Sequence, residues 1–329
     1  MSLSVGIVGL PNVGKSTLFN ALLKKQQAYV ANFPFATIEP NIGIVPVPDD
    51  RLKSLSQIYS APIVNATVEF KDIAGLIEGA SKGEGLGNKF LSHIRETDAI
   101  CYVLRAFTDP DVIKQGVKDP KSDLEILRLE LELADAQTLE NHTKKKNLPA
   151  GRQVLDNELP LFKNKPFLVV LNVDEKDLRR SREIEIEYAQ KLGIDQNQIT
   201  VISAKTESEL SELSSDDQKA YLKDLGVESS GLERLIQKAF STLNLLTFLT
   251  AGEKEVRAWT IKNGTDAVNA AGVIHTDFMK KFIKADICNF DDFVANNGWK
   301  ACREKGLVRS EGRDYIIKDG DVVEFKIGG

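Results

Sequence analysis

The sequence is poor in cysteine and lacks long hydrophobic runs. Its 329 residues include three cysteines, Cys101, Cys288 and Cys302, which lie far apart and form no CxxC pair. This spacing argues against a disulfide scaffold and against a zinc site, because both need grouped cysteines. No apolar stretch approaches the roughly 20 residues that cross a bilayer, and the N-terminal residues do not resemble a signal peptide. We therefore expect a cytoplasmic protein with reduced thiols and no membrane partner.

An excess of positive charge is also absent. Lysine and arginine number 43 against 48 aspartates and glutamates, which gives a net charge of −5 at pH 7. The whole molecule therefore has no strong attraction for nucleic acid, so we expect no DNA partner, and any RNA contact must come from a local patch. The remaining composition, 42% hydrophobic and 28% charged, is typical of globular proteins with two or three domains at this length.

A complete phosphate-binding loop follows the first apolar run, residues 3–8. Residues Gly9–Thr17 read Gly-Leu-Pro-Asn-Val-Gly-Lys-Ser-Thr, which fits the pattern G-x-x-x-x-G-K-[ST]. The pattern predicts a strand, a tight loop whose amides face phosphate oxygens, and a helix that begins at about Lys15. In such a loop the lysine reaches the β and γ phosphates, and the hydroxyl of Ser16 ligates Mg²⁺.

Two further segments match the parts of a nucleotide switch. Asp72-Ile73-Ala74-Gly75 follows an apolar strand, so Asp72 can hold a Mg²⁺-bound water and the Gly75 amide can contact the γ-phosphate. Thr37 lies between the phosphate loop and Asp72, where switches place a hydroxyl that completes the Mg²⁺ shell. We therefore predict Lys15, Thr37 and Gly75 as catalytic residues, and Ser16, Thr37 and Asp72 as metal ligands.

The base-side loops follow two later strands. Asn172-Val173-Asp174-Glu175 stands where small GTPases carry Asn-Lys-x-Asp, with Glu175 in the place of the aspartate that recognises guanine. A longer carboxylate does not meet the guanine edge in the same geometry, so this change can redirect base choice. Ser203-Ala204-Lys205 matches the last base-side loop. We predict that Asn172, Val173, Glu175, Ser203 and Ala204 contact the nucleotide.

The chain as a whole alternates strand-like and helix-like segments. Strand-like runs occur at Val5–Val8, Ile42–Val47, Thr67–Phe70, Ile100–Leu104, Phe167–Leu171 and Thr200–Ile202. This alternation predicts an α/β domain with a mostly parallel sheet. After Asn244, strand-like runs at Leu246–Leu249, Val256–Ile261, Phe282–Ile287, Tyr315–Ile317 and Val322–Ile327, with a helix around Asp266–Ile274, predict a small α+β domain of the β-grasp type.

Residues 120–165 interrupt this alternation. Leu124, Leu127, Leu131 and Ala134 recur at helical spacing among many charged residues, which predicts an inserted helical hairpin. A packing role and a role as a partner-binding arm both remain open for it. The sequence therefore predicts a P-loop NTPase domain in two parts, residues 1–119 and 166–244. The hairpin, residues 120–165, is inserted between them, and the β-grasp domain follows at residues 245–329.

In combination the motifs resemble the YchF family of Obg-like ATPases. The resemblance rests on Gly9–Thr17, Asn32–Asn41, Asp72–Leu76, Gly83–Asn88 and Asn172–Glu175, and in the C-terminal region on Glu255–Thr260, Ile274–Phe278 and Asp314–Asp321.

The C-terminal segments resemble the TGS domain of that family. The resemblance implies a ribosome-associated NTPase that prefers ATP to GTP, with Mg²⁺ as cofactor and ribosomal contacts through the TGS domain and the hairpin. It also implies that the phosphates are bound by Asn12, Val13, Gly14, Lys15, Ser16 and Thr17, and that the backbone of Val173 contacts adenine.

Departures from related NTPases affect the expected mechanism. Leu76 stands where many GTPases carry a glutamine that orients the attacking water. Related proteins with an asparagine at the position of Asn12 often use K⁺ near the phosphates. We therefore expect slow hydrolysis stimulated by K⁺. Family members often carry a histidine after the fourth strand, but Lys114 stands there, and a charged lysine is a poor base. His93 and His275 are interpreted as structural.

Three functions remain open from the sequence. The first is a Mg²⁺-dependent ATPase that acts as a nucleotide switch at the ribosome. The second is a guanine-preferring GTPase that regulates translation, and the third is a non-hydrolysing module whose nucleotide orders a surface that binds the ribosome or RNA. A small-molecule kinase is disfavoured, because no second-substrate site is evident in the sequence.

Overall fold

The computed structural model describes residues 3–30, 41–73, 86–108, 119–145 and 159–328. The chain divides into two compact units. Unit 1 comprises residues 1–45 and 68–242, and unit 2 comprises residues 46–67 and 243–329.

The described elements are as follows in chain order. The strands are β1 Ser4–Val8, β2 Ile42–Pro46, β3 Ile63–Val64, β4 Thr67–Asp72, β5 Ala99–Arg105, β6 Phe167–Asn172, β7 Ile199–Ile202, β8 Leu245–Ala251, β9 Val256–Lys262, β10 Phe282–Cys288, β11 Arg309–Glu311 and β12 Val322–Ile327. The helices are α1 Lys15–Val30, α2 Arg51–Tyr59, α3 Leu86–Arg95, α4 Pro120–Lys145, α5 Ser181–Leu192, α6 Ala204–Leu210, α7 Ser215–Asp224, α8 Gly231–Thr242, α9 Ala267–Ile274, α10 Thr276–Lys280, α11 Phe290–Ala295 and α12 Trp299–Glu304. Short 3₁₀ turns occur at Phe162–Asn164, Glu175–Arg180 and Gln196–Gln198.

Unit 1 is built on a six-stranded sheet in the order β2-β4-β1-β5-β6-β7. The pairs β1–β4, β1–β5, β5–β6 and β6–β7 are all parallel. Strand β1 near the centre and strand β7 at the edge are both buried along their whole length, as expected of strands in a parallel sheet covered on both faces. This confirms the predicted P-loop domain with a mostly parallel sheet.

Helix α4 covers one face of this sheet. Leu124, Leu127, Leu131 and Ala134, the residues whose spacing predicted a helix, are at most 3% exposed. They pack in one core cluster with Tyr102 and other residues of β5 and β6. The first helix of the predicted hairpin is therefore present, whereas residues 146–158, where the chain would turn back, lie outside the described residues.

Unit 2 contains a mixed six-stranded sheet in the order β11-β10-β12-β8-β9-β3. The strands β8 and β12 pair in parallel at its centre, and antiparallel pairs β8–β9 and β10–β12 flank them. Helix α9 packs its buried alanines against one face. A central parallel pair, an antiparallel partner on each side of it and a helix packed on one face form the β-grasp arrangement that the sequence predicted.

One predicted strand of unit 2 is wrong. Residues Tyr315–Ile317 form only an isolated bridge from Ile316 to Asp266, and the edge strand is β11, which pairs with β10. The Tyr315 hydroxyl instead donates a hydrogen bond of 3.0 Å to Asp321. Ile317 is buried in the core of unit 2 with Tyr315 packed against that core, whereas Ile316 is exposed, so the segment serves packing and not a strand ladder.

The segment at residues 46–67 belongs to unit 2, whereas the predicted first part of the nucleotide domain included it within residues 1–119. Strand β3 pairs in parallel with β9, with Ile63 opposite Val256. At the start of α2, the Arg51 guanidinium donates hydrogen bonds to both carboxylate oxygens of Asp49, to Asp319 and to the Thr247 hydroxyl, each at 2.7–2.8 Å. Within the described ranges, no helix is long and apolar enough to cross a membrane.

Candidate functional site

The predicted site residues that the structure describes lie at the carboxyl edge of the unit 1 sheet. This is the edge where ligands of open parallel sheets bind, because the connecting loops there open toward solvent. Gly9 follows β1, Asp72 ends β4 and Asn172 ends β6. Ser203 follows β7, so the phosphate-side and base-side loops meet along one edge.

The phosphate loop has the backbone that its glycines predict. Asn12 has a φ of 62° and Gly14 a φ of 89°, both in the left-handed region. A side chain on Gly14 would overlap the amide of Asn172. Helix α1 begins directly after this turn, and the first helical hydrogen bond runs from the Leu18 amide to the Gly14 carbonyl at 3.0 Å. The loop therefore leads into a helix N-terminus, which favours anions.

Lys15 and Asp72 meet at the phosphate end of the site. The ammonium of Lys15, a residue that is 9% exposed, donates a hydrogen bond to the Asp72 carboxylate. Asp72 reaches this position because β4 lies beside β1, with Ile7 opposite Asp72 in the ladder. Ser16 is exposed one residue further along. A hydroxyl and a carboxylate are hard oxygen donors, so this pair suits Mg²⁺.

Asn172 joins the phosphate loop to the last base-side loop. Its Nδ2 donates a hydrogen bond of 2.9 Å to the Val13 carbonyl, and its Oδ1 accepts one of 2.9 Å from the Ala204 amide. Asn172 is 6% exposed, and Val13 and Ala204 are 1% and 2% exposed. Both ends of the amide are therefore used inside the protein, which makes Asn172 a positioning residue.

The neighbouring Val173 has its side chain and its amide engaged inside the protein. Its side chain is 4% exposed and packs in the core cluster on the α4 side of the sheet. Its amide donates a hydrogen bond of 2.8 Å to the Ile202 carbonyl. Neither its amide nor its side chain is therefore available to a ligand.

The two acids that follow are engaged by residues that the sequence analysis did not single out. Asp174 accepts hydrogen bonds from the amide and the hydroxyl of Thr108, at 3.1 and 2.6 Å. Glu175 accepts a bond of 3.5 Å from the Thr206 hydroxyl. Burial, together with the charge of Glu175 and a hydrogen bond to it, raises the pKa of Tyr221. No local sequence signal marks these partners, because each comes from a separate element.

Ser203 and His275 act as helix caps. The Ser203 hydroxyl accepts hydrogen bonds from the amide and the hydroxyl of Thr206 at the start of α6. In unit 2, Nδ1 of His275 accepts a bond of 3.1 Å from the Asp277 amide at the start of α10. These contacts agree with the structural role predicted for His275. His93 is exposed in the last turn of α3.

Several predicted residues lie outside the described ranges. Thr37, Gly75, Leu76 and Lys114 belong to this group, so the structure does not bear on their roles. Among the described residues, no group of three or more His, Cys, Asp or Glu side chains could hold a metal ion. The phosphate loop, Asp72, Asn172–Glu175 and Ser203–Ala204 are the predicted site residues that the structure does describe.

Two protein-family models match this chain. A family model described as "50S ribosome-binding GTPase" matches residues 4–173. A second model, YchF-GTPase_C, described as a protein of unknown function, matches residues 245–328. The two matches leave out residues 174–244.

Curated relatives match over the full length. The chain is 43% identical to "Ribosome-binding ATPase YchF" of Bacillus subtilis and 42% identical to the protein of that name in Haemophilus influenzae, with 99% of each chain covered. The Bacillus subtilis alignment has 364 positions and this chain has 329 residues, so at least 35 positions are gaps in this chain.

A solved structure agrees as well. The YchF GTPase of Schizosaccharomyces pombe superposes with a TM-score of 0.85 at 34% sequence identity, and 99% of this chain and 98% of that chain are covered. Full-length identity above 40% to several YchF proteins, together with this agreement of folds, shows that the chain belongs to the YchF family.

Proposed function

We propose that this protein is a Mg²⁺-dependent ATPase that acts as a nucleotide switch at the ribosome. One observation carries the proposal: Lys15 of the phosphate loop and Asp72 of the D-x-x-G segment meet at the mouth of β1. These two residue types act on the phosphates and on their metal ion in P-loop NTPases. The name "Ribosome-binding ATPase" borne by the bacterial relatives supports the activity and the partner.

At the phosphate end each residue has a separate task. The amides from Asn12 to Thr17 face the phosphate oxygens, and the Lys15 ammonium neutralises charge that builds up on the γ-phosphate during transfer to water. Ser16 and Asp72 would hold Mg²⁺, with Thr37 as a further ligand. The metal ion, when bound, neutralises phosphate charge and orients the triphosphate. Gly75 would donate its amide to the γ-phosphate.

A monovalent cation is the second proposed cofactor. Asn12 at the turn of the loop supports K⁺, since relatives with this residue often use K⁺ near the phosphates. A cation there would stabilise transition-state charge in the way an arginine finger does. We therefore propose that hydrolysis is faster in potassium than in sodium buffer.

At the base end the free backbone groups favour adenine. The Val173 amide already donates a hydrogen bond to the Ile202 carbonyl, and the Ala204 amide donates one to Oδ1 of Asn172. The O6 atom of guanine is an acceptor and needs a free amide as its donor. The 6-amino group of adenine is itself a donor and can donate a hydrogen bond to the Val173 carbonyl. Glu175 contacts Thr206 and Tyr221, and these contacts compete with a guanine edge.

Guanine preference is the second candidate, because the yeast structure is called a YchF GTPase. Calorimetric titration with Mg²⁺-ATP and Mg²⁺-GTP separates the two candidates. We expect tighter ATP binding, and tighter GTP binding would establish the alternative. Single-turnover hydrolysis with and without ribosomes, in KCl and in NaCl, tests the enzymatic step. No hydrolysis under any of these conditions would leave a non-hydrolysing binding module.

Lys15→Ala is the variant that tests the site itself. A hydrogen bond to a charged group contributes about 1.5–3 kcal/mol, so we expect ATP affinity to fall about 10- to 100-fold. Lys24→Ala is the matched control, since Lys24 lies on the same helix and pairs with the exposed Glu212. Equal ATP affinity and hydrolysis in Lys15→Ala and wild type would refute the proposal.

We propose that the protein acts in the cytoplasm and that unit 2 contacts the ribosome. Lys280 and Lys281 are exposed and adjacent, and within the described residues their ammonium groups form no ion pair. By contrast, Lys284 nearby pairs with Asp286 at 2.8 Å. RNA phosphates would attract the two unpaired lysines, which makes binding sensitive to salt. Co-sedimentation with ribosomes that is unchanged by salt and by Lys280→Glu/Lys281→Glu would exclude this surface.

A further inference from the structure

Arg105 ends the strand that lies between the phosphate loop and the base-side loop. Strand β5 pairs with β1 on one side and with β6 on the other, and Arg105 is opposite Asn172 in the β5–β6 ladder. Residues in register on neighbouring parallel strands direct their side chains to the same face of the sheet. The side chain of Arg105 is therefore on the face where Asn172 binds the Val13 carbonyl.

The rest of β5 supports this placement. Tyr102 and Leu104 belong to the core cluster on the α4 side. Val103, which alternates with them, lies against the phosphate loop, because a Cβ on Gly9 would lie 3.5 Å from the Val103 Cβ. Two residues further along the strand, Arg105 has the orientation of Val103 and lies at the mouth of the site.

The Arg105 guanidinium has no partner among the described residues. Its side chain forms no hydrogen bond or ion pair with them, and its Nε is buried without an acceptor. Other arginines of unit 1 are engaged: Arg128 lies over the Phe167 ring, and Arg234 donates to the Ser229 and Val201 carbonyls. A half-buried cation without a partner is costly, so this position calls for a ligand group.

The neighbouring loop lacks the cation that related NTPases place there. Val173 occupies the lysine position of Asn-Lys-x-Asp, and its side chain is buried on the opposite face of the sheet. Arg105 ends the adjacent strand on the face that carries Asn172. It lies one strand from Asn172 and two strands from Asp72, about 5 and 10 Å at the usual strand spacing. The base half of a nucleotide is therefore the closer ligand.

We infer that Arg105 contacts the base and ribose of the bound nucleotide, with its planar guanidinium against the purine ring. The inference rests on the proposed nucleotide binding at this edge. A guanidinium stacks on aromatic faces, and an ammonium does so less well because it is compact and strongly hydrated. The contact uses the ring plane, so it strengthens ATP and GTP binding alike and leaves base choice to the backbone groups of the base-side loops.

The test compares ligands that keep or lack the base. Affinities of Mg²⁺-ATP, Mg²⁺-ADP and Mg²⁺-tripolyphosphate are measured by calorimetry for wild type, Arg105→Ala, Arg105→Met and Arg105→Lys. A cation–π contact of about 1–2 kcal/mol predicts an approximately tenfold loss for ATP and ADP in the alanine and methionine variants. Tripolyphosphate affinity should stay the same, and Arg105→Lys should recover only part of the loss.

Arg182→Ala is the matched control, because the Arg182 side chain is 88% exposed. Its ion pair with the similarly exposed Glu228 is long at 3.8 Å. Arg105→Met keeps most of the aliphatic stem, so it serves if the alanine variant does not fold. Wild-type affinity for ATP in the Arg105 variants overturns the inference, and so does an equal loss for tripolyphosphate. A wild-type protein that binds no nucleotide overturns the proposed function and this inference with it.

Discussion

Replacing Asn172 by alanine should loosen the phosphate loop and the base-side loop together. The change removes the bond from Nδ2 to the Val13 carbonyl and the bond from the Ala204 amide to Oδ1, both 2.9 Å long. Val13 and Ala204 are almost fully buried, so water does not readily replace the lost partner. Each unsatisfied buried group costs about 1–3 kcal/mol, so the two together give an expected loss of about 2–6 kcal/mol.

Urea unfolding followed by far-ultraviolet circular dichroism measures this loss. With a slope of about 2–3 kcal/mol/M, the midpoint should fall by about 1 M or more. The control is Asn197→Ala, an exposed asparagine of the same unit, for which we expect a change within about 0.5 kcal/mol. Affinity for ATP and for GTP should fall by similar factors in Asn172→Ala, because the residue positions two loops and reads no base. A midpoint equal to that of wild type would refute the positioning role.

Two further predictions concern buried and half-buried ionisable groups. Glu207 accepts a 2.6 Å bond from the Gly231 amide, and burial raises the pKa of its carboxyl above the ordinary value. The folded state then holds its proton more tightly than the unfolded state. Stability from this group is therefore complete below the ordinary pKa and falls as pH rises through the folded pKa, so Glu207→Gln should gain stability relative to wild type between pH 4.5 and 7. Parallel unfolding free energies of the two proteins over that range would contradict it. Hydrogen bonding to Asp49 is the chief cause that raises the pKa of the Arg51 guanidinium. Arg51→Ala should lower the stability of unit 2 by about 1–3 kcal/mol, measured by the fluorescence of its tryptophans during unfolding, and Arg51→Lys should not restore the lost stability. Wild-type stability of Arg51→Ala would contradict the role of these bonds.

The parts of the site that the sequence predicted are those that require special local geometry. Gly14 has a φ of 89° and borders Asn172 closely, so the glycine is needed where it stands and marks the turn in any chain of this kind. The helix that follows begins at Lys15, as the pattern predicted. Short continuous apolar runs predicted the parallel strands for a similar reason, since strands buried on both faces accept few polar residues.

The parts that sequence reasoning missed depend on pairings between distant residues. Nothing local at Ile63–Val64 indicates a strand that pairs with Val256–Arg257, and a two-residue strand has no periodicity to detect. The bond from Arg51 to Asp319 spans more than 260 residues of sequence. The assignment of residues 46–67 to unit 2 rests on such contacts, so it becomes visible only once the fold is known.

The same limit applies to the base end of the site. Glu175 could be recognised as a departure from Asn-Lys-x-Asp, but its partners Thr206 and Tyr221 come from two helices later in the chain. Val173 could be recognised as a missing lysine, and the sequence offers no hint of what compensates for it. The register of β5 against β6 provides the answer, since it places Arg105 opposite Asn172. A cation lost from one strand end can therefore be replaced from the next, and a search confined to motifs along the chain would record only the loss.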